Sequence, residues 1–253
     1  MIDTHAHLND TKLFSRVDDI LSDDYLEYVI VPGYHERSSR IAVDIASQYK
    51  KAYATVGCHP HDADKFSDLE YKYYESVANH PKVVAIGEIG LDYYRDLTPR
   101  DVQKRVFEEQ ILLADSVGLP IVLHVRDAYA DTLEILERNR DKLKNGVLLH
   151  CYSGSRDTVR EFLRYDCYFA LGGAVTYKGA KKEDVIRAIP LDRLVLETDA
   201  PYLTPVPKRG EINEPKYVAY TLRHVGGVLG ISDEKLQEIT TQNAKRFFNL
   251  EKI

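Results

Sequence analysis

Residues Ile2-Asp3-Thr4-His5-Ala6-His7-Leu8 decide how the chain reads. Ile2 and Thr4 suit a short strand that begins almost at the first residue. Successive side chains of a strand point to opposite faces, so His5 and His7 point the same way. Two imidazoles on one face, two residues apart, can grip one metal ion. Taken alone, the pair reads better as two solvated histidines at a polar strand end. Its weight comes from the rest of the chain, where histidines and carboxylates keep arriving at the ends of short apolar runs.

Those runs are Ile2–His5, Tyr28–Pro32, Ala52–Gly57, Val83–Glu88, Pro120–His124, Gly146–His150, Cys167–Leu171 and Leu194–Glu197. Their number is the one a (β/α)8 barrel requires, and near-continuous apolar strands mark a parallel sheet. Amphipathic segments separate them: Glu36–Tyr49, Leu69–Asn79, Pro99–Val117, Asp127–Leu143, Asp157–Tyr165, Lys182–Ala188, Pro215–Gly226 and Ser232–Phe248. In the clearest of these, Thr98 is the expected N-cap, Pro99 the first helical residue and Gly118 the stop. Ser232, with Asp233 and Glu234 behind it, caps the last. The expectation is an α/β chain folded as a single-domain (β/α)8 TIM barrel over residues 1–253. An open doubly wound sheet is disfavoured because no Gly-x-Gly-x-x-Gly turn follows an early strand.

With 253 residues the chain can bury roughly three-quarters of its unfolded surface. Hydrophobic residues make up 44% and charged residues 29%, a globular balance. No apolar run approaches the ~18 residues of a membrane span and no signal-peptide pattern precedes the first strand, so a cytoplasmic protein with no membrane partner is expected. Cys58, Cys151 and Cys167 form no CxxC and read as small buried residues. A net charge of −6 gives no electrostatic footprint for nonspecific nucleic-acid binding, though it does not exclude a nuclease served by metal ions and a local basic rim.

His5, His7, His59, His61, His124 and His150 stand at or just beyond predicted strand ends, as do Glu88, Asp92 and Asp199. In a barrel all these ends meet at one mouth, the face that carries active sites. His35, His80 and His224 fall outside that set and read as packing or surface residues. Four imidazoles with two or three carboxylates suit a borderline divalent ion: Zn, Fe, Mn or Mg with water. The set exceeds what one catalytic ion needs, and two ions about 3.5–4 Å apart, bridged by a carboxylate, use it economically. Glu88 is the expected bridge, midway in strand order between His5/His7 and Asp199 on one side and His124/His150 on the other.

Asp3-Thr4-His5-Ala6-His7-Leu8, Gly57-Cys58-His59-Pro60-His61, Gly87-Glu88-Ile89-Gly90-Leu91-Asp92-Tyr93-Tyr94, His124-Val125-Arg126, His150-Cys151-Tyr152-Ser153-Gly154 and Glu197-Thr198-Asp199-Ala200-Pro201-Tyr202 occur in this order. With the tail Thr241-Gln242-Asn243-Ala244-Lys245-Arg246-Phe247-Phe248, the series resembles the TatD family of metal-dependent deoxyribonucleases, in the amidohydrolase superfamily. The resemblance implies a 3′ to 5′ exonuclease that shortens single-stranded DNA from its 3′ ends with two divalent metal ions per subunit. It assigns one ion to His5, His7, Glu88 and Asp199 and the other to Glu88, His124 and His150. The chain departs from the family at Arg95, where tryptophan is frequent, at Lys208, often histidine, and at Ile212, often basic. These substrate-side loops bear on substrate choice.

The expected chemistry is phosphodiester hydrolysis by metal-activated water, with Asp199 as general base and Glu88 as the other catalytic carboxylate. His59, His61, Asp92 and Arg126 are assigned to substrate binding or to support of the ligands. Arg126 could pair with a phosphate and His61 with a phosphate or leaving oxygen. His59 and Asp92 are equally consistent with bracing a loop. Glu197 reads as a brace one layer below Asp199, and Asn213 and Asn243 as loop and helix-end structure. Tyr93, Tyr94, Tyr152 and Tyr202 are the tyrosines at the mouth that could stack on bases. Lys181, Lys182, Lys208 and Arg209 fit a basic rim or a solvated face. The alternative is a metal-dependent hydrolase of another ester, amide or lactone, such as an aminoacyl-tRNA ester, because fold and metals do not fix the substrate. The oligomeric state is left open, and a monomer is compatible with the pattern.

Overall fold

A computed structural model describes residues 1–250 of the chain. Among them, eight parallel strands run in sequence order through one sheet: β1 (Ile2–Asp3), β2 (Tyr28–Pro32), β3 (Ala52–Val56), β4 (Val83–Asp92), β5 (Ile121–Arg126), β6 (Val147–Leu149), β7 (Tyr168–Leu171) and β8 (Leu194–Leu196). The first and last strands then meet. Thr4 N–H donates to Leu196 O at 3.1 Å, Asp199 N–H to His5 O at 2.9 Å and His7 N–H to Ala200 O at 2.7 Å. These bonds join the two edges of the sheet at the mouth of a (β/α)8 barrel, the fold that strand–helix alternation predicts.

The covering helices are α1 (Thr11–Phe14), α2 (Val17–Leu21), α3 (Glu36–Gln48), α4 (Asp68–Val77), α5 (Arg100–Val117), α6 (Tyr129–Arg138), α7 (Arg156–Phe162), α8 (Glu183–Ala188), α9 (Val218–Leu229) and α10 (Asp233–Phe248). Their apolar faces pack on the outward residues of the strands, as Val106, Phe107 and Leu113 of α5 do in the outer core with Leu123 and Leu149. Inside the barrel, Val122, Leu148 and Val195 form part of a second core that Phe247 and Phe248 of α10 close from below. Two residues on from each, with the same pleat, come His124, His150 and Glu197. The barrel lumen is thus apolar at its base and polar at its mouth. No helix among the described residues is long and apolar enough to cross a membrane.

The structure corrects several boundaries. β1 is shorter than the expected strand, because the chain leaves the ladder to make the closing contacts above. β4 is longer and runs to Asp92, so Glu88 lies inside it and Asp92 ends it. Its register against β5 slips between Ile86 and Ile89, where one extra residue bulges. A bulge re-aims side chains, and this one carries Glu88. Gly90 follows at φ +132°, where an added Cβ would lie 2.1 Å from His124 O.

Thr98 is not the N-cap of α5. Pro99 holds that place without a side-chain bond, while Thr98 Oγ1 donates to His61 O at 3.1 Å. The expected helix Asp127–Leu143 begins at Tyr129, after Asp127 turns to φ +53°, and α6 ends at Arg138. Pro215–Tyr217 form a 3₁₀ turn and α9 starts beyond it. Ser232 does cap α10, accepting the amide of Lys235, and Gly118 ends α5 at φ +71°.

Asn243 of α10, buried, donates to Leu191 O at 2.7 Å and to Leu194 O at 2.8 Å, tying the last helix to the foot of β8. Asn243→Ala leaves both carbonyls without this donor. We expect a loss of about 1–3 kcal/mol, read as a lower urea midpoint at unchanged slope.

Candidate metal centre

Glu88 is 4% exposed and lies at the centre of the mouth. Its backbone N–H is fixed by Gly33 O at 2.7 Å. Its two carboxylate oxygens face different partners. Oε2 lies 3.5 Å from His5 Nε2. Oε1 lies 3.0 Å from His124 Nδ1, 3.1 Å from His150 Nε2 and 3.4 Å from His59 Nε2. Asp199, on the loop after β8, brings Oδ1 to 3.3 Å from His7 Nε2 and 3.9 Å from His5 Nε2.

Three groups have ligand atoms within 4.8 Å of one another: His5, His7 and Asp199; His5, Glu88 and His150; His59, Glu88 and His124. The strand-end residues predicted to converge are therefore together. His5 Nε2 is buried with no hydrogen-bond partner, between two carboxylates. An unpartnered nitrogen facing two carboxylates in a dry site suits a cation, and the nitrogen–carboxylate donor set suits a borderline divalent one.

The charge states agree. Burial pushes the imidazoles of His5 and His59 toward the neutral form, His59 down to about 4. Burial opposes ionisation of Glu88, but the imidazoles of His150 and His59 and the bond from His124 outweigh it and hold the carboxyl well below its usual range. Asp199 also titrates low: burial is outweighed by His7, His150 and His5. Against burial, Asp92 and Glu88 raise His124, and Glu197 and Glu88 raise His150. The carboxylates draw positive charge into the site, and a divalent cation satisfies the same field.

Behind these residues stand carboxylates that touch only the chain. Asp92 Oδ2 lies 2.8 Å from His61 Nε2 and 3.0 Å from His124 Nε2, while its Oδ1 accepts the amides of Tyr94 and Arg95. Glu197, fully buried, accepts Cys151 N–H at 2.7 Å and lies 3.3 Å from His150 Nδ1. Asn213 donates to Thr198 O at 2.8 Å beneath Asp199. Arg126 is not in the cluster; it lies at the cavity wall with its guanidinium 3.8 Å from the centre of the Tyr94 ring. His61 also lines the cavity, which has a volume of about 800 Å³. Lys182 and Lys208 are engaged with the chain itself, at Ser153 O and Glu211.

Three residues escaped the sequence reading of the site. Asp3, fully buried, accepts the amides of His5 and Thr198 and the Thr198 hydroxyl, so one carboxylate aligns the segments that carry His5 and Asp199. Gln110 of α5 accepts Cys58 N–H at 2.7 Å and donates to Cys58 O at 3.0 Å. Gln103 does the same for Asp92, at 2.9 and 3.2 Å. The available signal was two glutamines seven residues apart within the apolar face of α5, and an aspartate in the opening strand. His35 caps α3 and His80 accepts Lys82 N–H, both away from the cluster.

The family model described as TatD related DNase matches residues 2–249. The metal-dependent hydrolase YabD of Bacillus subtilis (strain 168) is 39% identical over 254 residues, covering 99% of each chain. The 3′-5′ ssDNA/RNA exonuclease TatD of Escherichia coli (strain K12) is 30% identical over 259 residues, again 99% of each. Among solved structures, YJJV, a TatD homologue from Escherichia coli K12, superposes with a TM-score of 0.93 at 28% identity, over 98% of both chains. A barrel whose strand ends gather these histidines and carboxylates, matched along its length to such relatives, belongs to the TatD family of metal-dependent hydrolases.

Proposed function

We propose that the whole chain acts as one hydrolase domain, a 3′ to 5′ exonuclease on single-stranded nucleic acid served by two divalent ions. His5, His7, Glu88 and Asp199 would hold one ion, and Glu88, His124 and His150 the other, with Mg, Mn, Zn and Fe all compatible donors' partners. The observation that carries the reading is Glu88 itself: one buried carboxylate turns its two oxygens to two different histidine groups. Bound divalent ions would acidify a nucleophilic water and offset the charge that grows on a phosphoryl group.

The chain supplies the rest. Asp199, ionised and 3.3 Å from His7, stands at the inner wall of the cavity, where it would accept the proton of the attacking water. Arg126, held flat on Tyr94, offers a planar fork to a phosphate. His61, tied to Asp92, can donate to a phosphate or leaving oxygen. Tyr94 and Tyr202, 60% and 46% exposed, give stacking surfaces that accept any base. The cavity's ~800 Å³ is ample for a terminal nucleotide. The names of relatives such as the Escherichia coli exonuclease support DNA and RNA alike as substrates.

The first test is shortening of 3′-labelled and 5′-labelled single-stranded DNA and RNA with Mg or Mn, with chelator, and with Glu88→Ala. Stepwise loss from the 3′ end, absent in chelator and in the variant, is expected. No shortening by metal-loaded protein would end the nuclease reading in favour of a smaller ester or an aminoacyl-tRNA ester. Glu88→Ala should also lower bound metal. Asp199→Asn should cut kcat by about 10²–10⁴-fold while much of the metal stays bound, measured by single-turnover kinetics beside elemental analysis.

Arg126→Ala separates binding from chemistry. KM for an oligonucleotide should rise about ten- to a hundredfold, the loss of a charged hydrogen bond, with kcat within a few-fold of wild type. An unchanged KM would remove Arg126 from the phosphate path.

A further inference from the structure

We propose that His59 is not a metal ligand but a neutral hydrogen-bond donor, a positioning residue whose Nε2–H holds Glu88 in its bridging pose. The inference rests on the two-ion reading above and deepens it. By distance alone His59 qualifies as a ligand. Its Nε2 is 3.4 Å from Glu88 Oε1, beside His124 Nδ1 at 3.0 Å and His150 Nε2 at 3.1 Å. His59, Glu88 and His124 form a group compact enough to hold an ion.

What separates the three imidazoles is the partner of the ring nitrogen that faces away from Glu88. For His124 that nitrogen is Nε2, 3.0 Å from Asp92 Oδ2. For His150 it is Nδ1, 3.3 Å from Glu197 Oε1. A carboxylate accepts, so His124 Nε2 carries a proton, while His150 Nδ1 faces Glu197 across an ion-pair contact that favours a proton there as well. The nitrogen turned to Glu88 can hold a second proton, and a bound ion would take that proton's place while the far nitrogen keeps its own, the arrangement that metal-bound histidines adopt.

His59 is the reverse case. Its far nitrogen, Nδ1, receives the backbone N–H of His61 at 3.1 Å. A backbone amide can only donate, so Nδ1 must carry the lone pair. The single proton of the neutral ring is then on Nε2, the nitrogen 3.4 Å from Glu88 Oε1. An imidazole nitrogen that bears a proton has no lone pair for a cation, whatever its distance.

The local sequence enforces this. His59 is the N-cap of the 3₁₀ turn Pro60–Lys65, with φ −65° and ψ 148°, a backbone that lets an N-cap side chain accept an amide ahead of it. Pro60 has no N–H, so the first amide available is that of His61. Gln110 anchors the preceding residue, Cys58, through both its backbone groups. The His-Pro-His step therefore sets a tautomer as well as a turn.

The test uses the full chain with isotope-labelled histidine, read by nitrogen NMR first without metal and then loaded with cadmium. His59→Gln and His124→Gln assign the rings. Without metal, His59 should carry a single proton, on Nε2, whereas His150 should carry a proton on Nδ1 whether or not Nε2 is protonated too. With cadmium, scalar coupling to the metal should reach His124 Nδ1 and His150 Nε2 and be absent at His59. Coupling at His59, or an Nδ1–H tautomer there, would overturn the assignment and leave the metal centre standing. Absence of cadmium coupling at every histidine would overturn the two-ion reading itself, and this role with it.

Affinity offers a second arm. The side-chain amide of glutamine can replace an Nε2–H donor but not an imidazole ligand. His59→Gln should keep cadmium stoichiometry and hold Kd within about threefold, while His59→Ala should weaken binding about tenfold or more. His124→Gln should lose an ion. If His59→Gln loses one as well, His59 is a ligand and the proposal fails.

Discussion

A single buried carboxylate sets the terms for the mouth of this barrel. Glu88 sits at 4% exposure and stays ionised because imidazoles crowd both of its oxygens. An isolated buried charge would be neutralised by a proton instead. Here the surrounding imidazole nitrogens make the charged form the stable one. The rest of the mouth follows from keeping that carboxylate in place and keeping the right face of each imidazole turned toward it.

The backbone contributes the first layer of that support. A bulge in β4 puts Glu88 on the lumen side, and Gly87 and Gly90 flank it where β5 leaves no room for a Cβ. The second layer is carboxylate on imidazole: Asp92 behind His124, Glu197 behind His150. The third is amide on backbone, where Gln103 and Gln110 hold Asp92 and Cys58 from outside the barrel. Each layer is buried, so each polar atom matters out of proportion to its size: an unpaired one costs about 1–3 kcal/mol. Asp3 serves the closing seam in the same way, joining the His-x-His strand to the Asp199 loop through Thr198.

The residues proposed to meet substrate are placed differently. Arg126, at the end of β5, and Tyr202, on the loop after β8, line the cavity, and the exposed Tyr94 ring packs against Arg126. Loops carried by a rigid barrel can vary without disturbing the base, which is how one scaffold serves many substrates. Arg95 faces the same cavity, whereas Lys208 is paired with Glu211. Of Arg95, Lys208 and Ile212, Arg95 is the one that lines the cavity.

The sequence by itself determined the barrel and the convergence of His5, His7, Glu88, His124, His150 and Asp199. Both follow from local periodicity: short apolar runs alternating with amphipathic ones, and polar residues at the same end of each run. The tertiary structure decided what periodicity does not encode. It made Asp92 the last residue of a bulged β4, turned Thr98 from a cap into a tie for His61, and brought Gln103 and Gln110 onto backbone far along the chain. It also sorted histidines that look alike in sequence, because a ring's tautomer depends on its far nitrogen's partner. For His59 that partner is a neighbouring amide; for His124 and His150 it is a carboxylate from another strand or loop, which only packing supplies.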